Sequence, residues 1–228
     1  MAKNIVTKID AEIEVRHVLV SVSDKAGLES FIPALVETCP GLMIYSTGGT
    51  FSRLEQVLGD KSRDHLKQVS EYTGQPEMQG GLVKTLDFKI YLGLLSETYN
   101  DAHAEDLKRT NASAIDMVVV NLYPFRETIA KPGVTPEEAR ANIDIGGPSM
   151  IRASAKNFLR VAPVVDPADY PRVLKELKVK GGKIGLALRY ELARKAFEHT
   201  ASYDRAISDY LAETDISQVE KAYPELVR

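Results

Sequence analysis

Apolar residues recur along this chain in two rhythms that alternate. Four short, nearly continuous apolar runs predict strands buried on both faces, as strands of a parallel sheet are. They are His17-Val-Leu-Val-Ser21, Leu42-Met-Ile-Tyr45, Ile115-Asp-Met-Val-Val-Val120 and Val161-Ala-Pro-Val-Val165. Between them the apolar spacing turns helical: Leu28, Phe31, Ile32, Leu35 and Val36 share one helix face, with Asp24 as its expected cap. A further helix is predicted over residues 51–58, directly after Thr47-Gly-Gly-Thr50, and others open at Pro136 and Pro148. Near the end, Leu192, Phe197, Tyr203, Ile207, Tyr210 and Leu211 predict one long helical segment entered through Gly181-Gly182. Strands alternating with helices predict an α/β fold built on a wound parallel sheet. The expected organisation is a single domain over residues 1–228, with a core of about 17–178 and a helical C-terminal extension of about 184–213.

Composition narrows the function classes. At 228 residues, 44% of them hydrophobic and 27% charged, the chain can bury a full core. A formal net charge of −3 argues against a dominant nucleic-acid surface, while leaving room for a local basic pocket around one phosphate. Cys39 is the only cysteine, so no intrachain disulfide can form. The start Met-Ala-Lys-Asn lacks the apolar core of a signal peptide, and no apolar run is long enough to span a bilayer; a cytoplasmic protein without a membrane partner is expected. None of His17, His65, His103 and His199 lies at ligand spacing from another, so no metal site is expected. The absence of a Gly-x-Ser-x-Gly elbow argues against a serine hydrolase.

Two early turns have the chemistry of a phosphate site. Ser21-Val-Ser-Asp-Lys-Ala-Gly27 and Thr47-Gly-Gly-Thr50 each follow a strand and open a helix, where unpaired N–H groups and the helix dipole favour an anion. Neither fits a P-loop or a dinucleotide fingerprint, so a nucleotide monophosphate fits better than a triphosphate. The alternative is that these residues only cap helices and shape turns. Further along, Asn121-Leu-Tyr-Pro-Phe125 follows the most apolar strand, where ligands of open α/β sheets gather. Asp144-Ile-Gly-Gly147 and Ala155-Lys-Asn157 come next, and Lys84 precedes them after a Gly80-Gly81 pair. Two amines, a carboxylate and a phenol can manage protons without a metal. Taken singly, Lys84 and Lys156 also read as solvated lysines, and Asp144 as a turn or cap.

Together these segments carry a family resemblance. Ser21 to Gly27, Ser46-Thr-Gly-Gly-Thr50, Val69-Ser-Glu-Tyr-Thr-Gly74, Pro76-Glu-Met78, Val83-Lys-Thr-Leu86, the Asn121, Asp144 and Ala155 motifs, and Lys195-Ala-Phe-Glu-His-Thr-Ala-Ser-Tyr-Asp204 occur in family order. The chain resembles the IMP cyclohydrolase domain of bifunctional purine biosynthesis proteins from about His17 to Leu211. The resemblance implies a methylglyoxal-synthase-like fold and closure of 5-formamidoimidazole-4-carboxamide ribonucleotide to IMP with loss of water, without metal or organic cofactor. It implies Lys84, Tyr123, Asp144 and Lys156 as catalytic groups. For substrate binding it implies Ser23, Lys25, Thr47, Gly48, Gly49, Thr50, Thr85, Asn121, Gly146 and Gly147. A homodimer is expected, with a separate formyltransferase supplying substrate and no transformylase activity in these residues.

The family pattern Gly-Gly-Arg-Val-Lys-Thr-Leu-His-Pro here reads Gly80-Gly-Leu-Val-Lys-Thr-Leu-Asp-Phe88. Leu82 lacks the guanidinium that could contact the base, for which Lys89 and Arg152 are the nearest substitutes, and Asp87-Phe88 changes the next turn. Two other readings follow from these departures and from the fold. One is a purine-nucleotide-binding regulatory module with weak or no turnover; the other is a phosphate-eliminating enzyme like methylglyoxal synthase.

Overall fold

Apolar alternation in the two central strands builds the molecule's layers. In the strand spanning His17–Val22, Val18, Val20 and Val22 enter one apolar cluster while Leu19 enters a second on the opposite face. Its neighbour Met117–Asn121 repeats this, with Met117 and Val119 on one side and Val118 and Val120 on the other. Full burial of each such side chain is worth about 1.5–3 kcal/mol, which commits both strands to the interior. The computed structural model describes residues 5–75, 84–223 and 225.

In chain order the strands are β1 (Glu12–Glu14), β2 (His17–Val22), β3 (Met43–Ser46), β4 (Leu66–Gln68), β5 (Met117–Asn121), β6 (Ala162–Val164) and β7 (Lys183–Gly185). The helices that position the site are α1 (Leu28–Thr38), α2 (Gly48–Leu58), α3 (Ser62–His65), α4 (Val69–Thr73), α5 (Phe88–Leu95), α6 (Asp101–Arg109), α7 (Phe125–Ile129) and α8 (Pro136–Ala141). After them come α9 (Gly146–Lys156), α10 (Tyr170–Val179), α11 (Leu186–Glu213) and α12 (Ile216–Ala222). The five-stranded sheet has the order β4-β3-β2-β5-β6 and is parallel throughout; β1 and β7 form a separate antiparallel ribbon. From β2 the chain winds outward through β3 and β4, then returns to the other side of β2 for β5 and β6. The winding direction therefore reverses between β2 and β5, and ligand crevices form at the carboxyl ends of strands at such a point.

The expected strands and helices are present, with corrections. Leu28, Phe31, Ile32, Leu35 and Val36 are the buried residues of α1, but Asp24 does not cap it. The cap position falls to Gly27 in the left-handed region (φ 76°), and Asp24 instead accepts a bond from the Ala26 N–H at 2.9 Å. Helix α2 starts within the Thr47-Gly-Gly-Thr50 turn rather than after it.

The long C-terminal helix α11 is bound into the core: Leu188 and Leu192 join one apolar cluster, Ala193, Ala196, Tyr203 and Ala206 the other. Near its start, fully buried Arg189 donates to the carbonyls of Phe158, Leu159, Ile184 and Asp10, tying the ribbon and the loop before β6 to α11. Among the described residues, no helix is long and apolar enough to cross a membrane.

Candidate active site

A cleft of about 460 Å³ opens at the reversal point between β2 and β5. One end of it begins with the turn after β2. There the Asn121 side chain, at the end of β5, is tied to that turn by both of its polar atoms. Its Oδ1 accepts from the N–H groups of Ser23 and Asp24 at 2.7 and 2.9 Å, and its Nδ2 donates to the Asp24 carbonyl at 2.8 Å. Asn121 thus holds the turn that presents Ser23 and Lys25, with Lys25 Nζ donating back to the Ser23 carbonyl at 3.3 Å.

The next strand ends in the second turn. Thr50, only 5% exposed, spends its hydroxyl on the end of β2, accepting from Val22 N–H at 3.1 Å and donating to the Val22 carbonyl at 3.0 Å. Thr50 therefore docks α2 on β2. No side chain caps the first turn of α2, whose cap residue Thr47 is extended and buried, so the N–H groups of that turn are left for a ligand. Two cations overhang them. A Cβ on Gly48 would lie 2.8 Å from Lys84 Nζ, and one on Gly49 would lie 4.0 Å from Lys25 Cε. Helix dipole, backbone donors and two ammonium groups converge there, which suits a phosphate dianion.

The opposite wall carries the titratable pair. Tyr123, 49% exposed, follows β5 directly. Asp144 lies before α9, where its Oδ1 accepts from Gly147 N–H at 2.8 Å. Burial pushes the Asp144 carboxyl above the ordinary carboxylate value, against the pull of hydrogen bonds from the backbone of Gly147 and Tyr123. A side chain at either glycine would displace its neighbours. A Cβ on Gly147 would fall 2.6 Å from both Asp144 Oδ2 and Leu122 Cδ2, and one on Gly146 would fall 2.9 Å from Thr85 Oγ1. Lys84 and Thr85 consequently bridge the starts of α2 and α9, the ammonium on one and the hydroxyl on the other.

All but one of the residues expected at the site line this cleft: Ser23, Lys25, Thr47, Gly48, Gly49, Thr50, Lys84, Thr85, Asn121, Tyr123, Asp144, Gly146 and Gly147. Lys156 is not brought to it. It is the last residue of 11-residue α9, exposed, roughly 15 Å along the helix axis from the end that carries Gly146. Within one chain it borders instead a surface cleft against α11, with Tyr190 and Phe197. Lys89 and Arg152 are not at the cleft either: Lys89 Nζ donates to the Tyr72 carbonyl at 3.3 Å, and Arg152 lies over the Phe197 ring. Leu82 and the Gly80-Gly81 pair fall outside the described residues. Asp87 caps α5, accepting from Lys89 N–H at 2.7 Å, and Phe88 is exposed.

Sequence patterns give no site role to the apolar lining of Ile143, Ile145, Leu86 and Met150, and they read Tyr203 only as a packing residue. Tyr203 Oη accepts from Asp144 N–H at 2.8 Å and donates to the Asn142 carbonyl at 3.1 Å. His199, about one turn of α11 before Tyr203, is half-buried; burial lowers its proton affinity, and among the described residues its Nε2 has no hydrogen-bond partner. Among the described residues no group of three or more His, Cys, Asp and Glu side chains could hold a metal ion.

Comparison with known proteins places this architecture. The MGS-like domain model matches residues 27–149, and the model described as AICARFT/IMPCHase bienzyme matches residues 154–227. The bifunctional purine biosynthesis protein PurH of Magnetococcus marinus is 47% identical over 212 residues, covering 93% of this chain and 38% of that protein. The PurH of a Synechococcus species is 49% identical over 195 residues, covering 86% of this chain and 36% of its own. That of Bacillus cytotoxicus is 47% identical over 216 residues, covering 93% and 39%. A crystal structure of ForH superposes with a TM-score of 0.74 at 31% identity, covering 86% of this chain and 97% of that one. The chain spans well under half the length of the curated relatives it matches.

Proposed function

The chain belongs to the MGS-like domain family, within the part of it that bifunctional purine biosynthesis proteins share, and from that premise we propose that it is an IMP cyclohydrolase. Its substrate is 5-formamidoimidazole-4-carboxamide ribonucleotide and its product is IMP. The observation that carries this reading is the polarity of the cleft. An uncapped helix start under two ammonium groups stands at one end, and a carboxylate of raised proton affinity beside a phenol stands at the other.

The 5′-phosphate sits on the first turn of α2, beneath Lys25 and Lys84. Lys84 thereby moves to the phosphate end of the site, since its ammonium overhangs Gly48. The ring-forming atoms then lie toward Tyr123 and Asp144. Closure forms a bond between the carboxamide nitrogen and the formyl carbon. That nitrogen loses one proton, the formamido nitrogen loses the other, and both leave with the formyl oxygen as water. Asp144 accepts the carboxamide proton, a task its raised proton affinity favours. The Gly146 N–H at the start of α9 and the Tyr123 hydroxyl stabilise charge developing on the formyl oxygen, and the hydroxyl returns a proton as it departs. Both reacting groups belong to one molecule, so fixing their rotamer supplies much of the advantage.

The substrate carries a formyl group on an aromatic amine, so a formylating enzyme supplies it, a separate formyltransferase on this reading. An ultraviolet assay of the purified protein with the formylated ribonucleotide tests the proposal. IMP formation that persists after exhaustive chelation is the expected result. Tight IMP binding with no turnover would replace the enzyme by the regulatory module.

A further inference from the structure

Helix α11 bonds the backbone beside the proposed catalytic carboxylate through one hydroxyl, and that hydroxyl is engaged on both sides. The Asp144 amide donates to Tyr203 Oη at 2.8 Å, and the same hydroxyl donates to the Asn142 carbonyl at 3.1 Å. Tyr203 is 8% exposed, with its ring packed edge-on against Phe125, 6.2 Å between centroids. Phe125 also meets Tyr210 edge-on, at 5.8 Å. Phe125 belongs to the segment that carries Tyr123, so Tyr203 touches both catalytic segments: its ring fixes one and its hydroxyl fixes the other. Its hydroxyl joins residues 59 and 61 positions away, which no local pattern would supply.

We propose that Tyr203 is the positioning residue for Asp144, holding residues 142–144 so that the carboxylate faces the cleft and stays partly withdrawn from water. This rests on Asp144 being the proton acceptor of the proposed reaction. The physical reason lies in the loop's poverty of other anchors. Beyond the Asp144 carboxylate, which accepts from the backbone of Gly147 and of Tyr123, the described hydrogen bonds of residues 142–145 run back to α8 or onward into α9. Without the Tyr203 hydroxyl, the Asp144 amide and the Asn142 carbonyl would seek water, drawing solvent to the carboxylate. The titratable groups around Asp144 are Tyr203 and Asp204 on α11, Tyr123 after β5, and Lys84 and Lys25 across the cleft. Burial is what raises Asp144. Added solvent therefore lowers its titration toward the ordinary carboxylate value.

The experiment is Tyr203→Phe in the full chain, which keeps the ring and its packing and removes the hydroxyl. Expected are a titration of the Asp144 carboxyl, followed by carbon-13 NMR, that moves to lower pH, and an acid limb of kcat that moves with it. With them kcat falls about tenfold or more while KM stays within about threefold. Tyr210→Leu serves as the control, since it removes a ring from Phe125 without touching the loop; it should lower Tm and leave the Asp144 titration in place. A titration unchanged in folded Tyr203→Phe protein, or one that Tyr210→Leu moves equally, overturns the proposal. Wild-type protein gives an independent reading: the Asp144 amide should exchange with deuterium more slowly than that of neighbouring Ile145, and equal rates would also overturn it. If no cyclisation is seen in wild type while Tyr203→Phe still moves the titration, the enzymatic reading fails and the positioning of Asp144 stands.

Discussion

Lys84 and Gly48 occupy one another's space: a Cβ on Gly48 would lie 2.8 Å from the Lys84 ammonium. Gly48 also has φ +48°, in the left-handed region where a side chain is strained. Gly48→Ala is therefore expected to cost about 1 kcal/mol of stability through the backbone. It should also displace the ammonium from the first turn of α2, raising KM for the formylated ribonucleotide by roughly tenfold with kcat little changed. Steady-state kinetics with a thermal melt decide it, and an unchanged KM would place Lys84 away from the phosphate.

Lys25 and Asp144 should separate binding from chemistry. The Lys25 stem passes Gly49 at the end proposed for the phosphate, while Asp144 sits at the end proposed for the reaction. Lys25→Ala is expected to raise KM about tenfold by removing contact with a group that does not react. Asp144→Asn is expected to lower kcat by about a hundredfold or more, with KM within a few-fold. A normal KM in folded Lys25→Ala protein, or near-normal turnover in Asp144→Asn, would dismantle the assignment.

Asp144 also predicts how stability responds to pH. Its folded-state proton affinity is raised by burial, so at neutral pH, ionised in both states, the carboxylate costs the folded protein stability. That cost fades as pH falls through the raised folded value toward the ordinary carboxylate range. Asp144→Asn should thus be at least as stable as wild type at pH 7, with the difference shrinking on acidification. Denaturant melts at neutral and mildly acid pH give the comparison. A variant clearly less stable at pH 7 would show that the Gly147 bond outweighs the burial of charge.

The centre of the sheet is legible in the sequence because β2 and β5 are buried on both faces and so carry unbroken apolar runs. β4 is not: Leu66-Lys-Gln68 is an edge strand of three residues, none fully buried, and leaves no run to read. The ribbon of β1 and β7 hides for the same reason, with Glu12, Glu14 and Lys183 turned outward. Asp24 has the right spacing for a cap, yet the left-handed backbone at Gly27 takes that position. Residue types at the site are legible as chemistry, but their distances are not. Lys156 follows Asp144 closely in sequence and is carried away by α9, whereas Tyr203 is remote in sequence and touches the Asp144 backbone. Helical spacing marks Tyr203 as a packing residue, which its ring is; its hydroxyl is visible only once the loop is placed.

Arg189 tests whether α11 is integral to the fold. Its buried guanidinium has four carbonyl partners, and burial lowers its proton affinity. Arg189→Met fills similar volume but leaves those carbonyls without donors, and should cost about 3 kcal/mol or more. Chemical denaturation measures it. A loss within about 0.5 kcal/mol would mean that water replaces the guanidinium readily and that the tie is weak.

Asn121 separates a ligand contact from a scaffold for one. If its amide held the base or ribose, removing it would weaken nucleotide and nucleoside alike. All three of its hydrogen bonds instead go to the turn that presents Ser23 and Lys25. Asn121→Ala should slacken that turn, cost about 1 kcal/mol of stability, and weaken IMP by roughly tenfold. Inosine, which has no phosphate to reach the turn, should be nearly unaffected. Asn121→Asp keeps the acceptor for both N–H groups, loses the donor to Asp24, and sets a negative charge under the phosphate site. It should preserve the fold better than Asn121→Ala while weakening IMP further, the more so at low ionic strength. Calorimetric titration of both ligands into both variants distinguishes the cases: equal losses for IMP and inosine would show that the amide meets the nucleoside itself, and that the turn holds its shape without it.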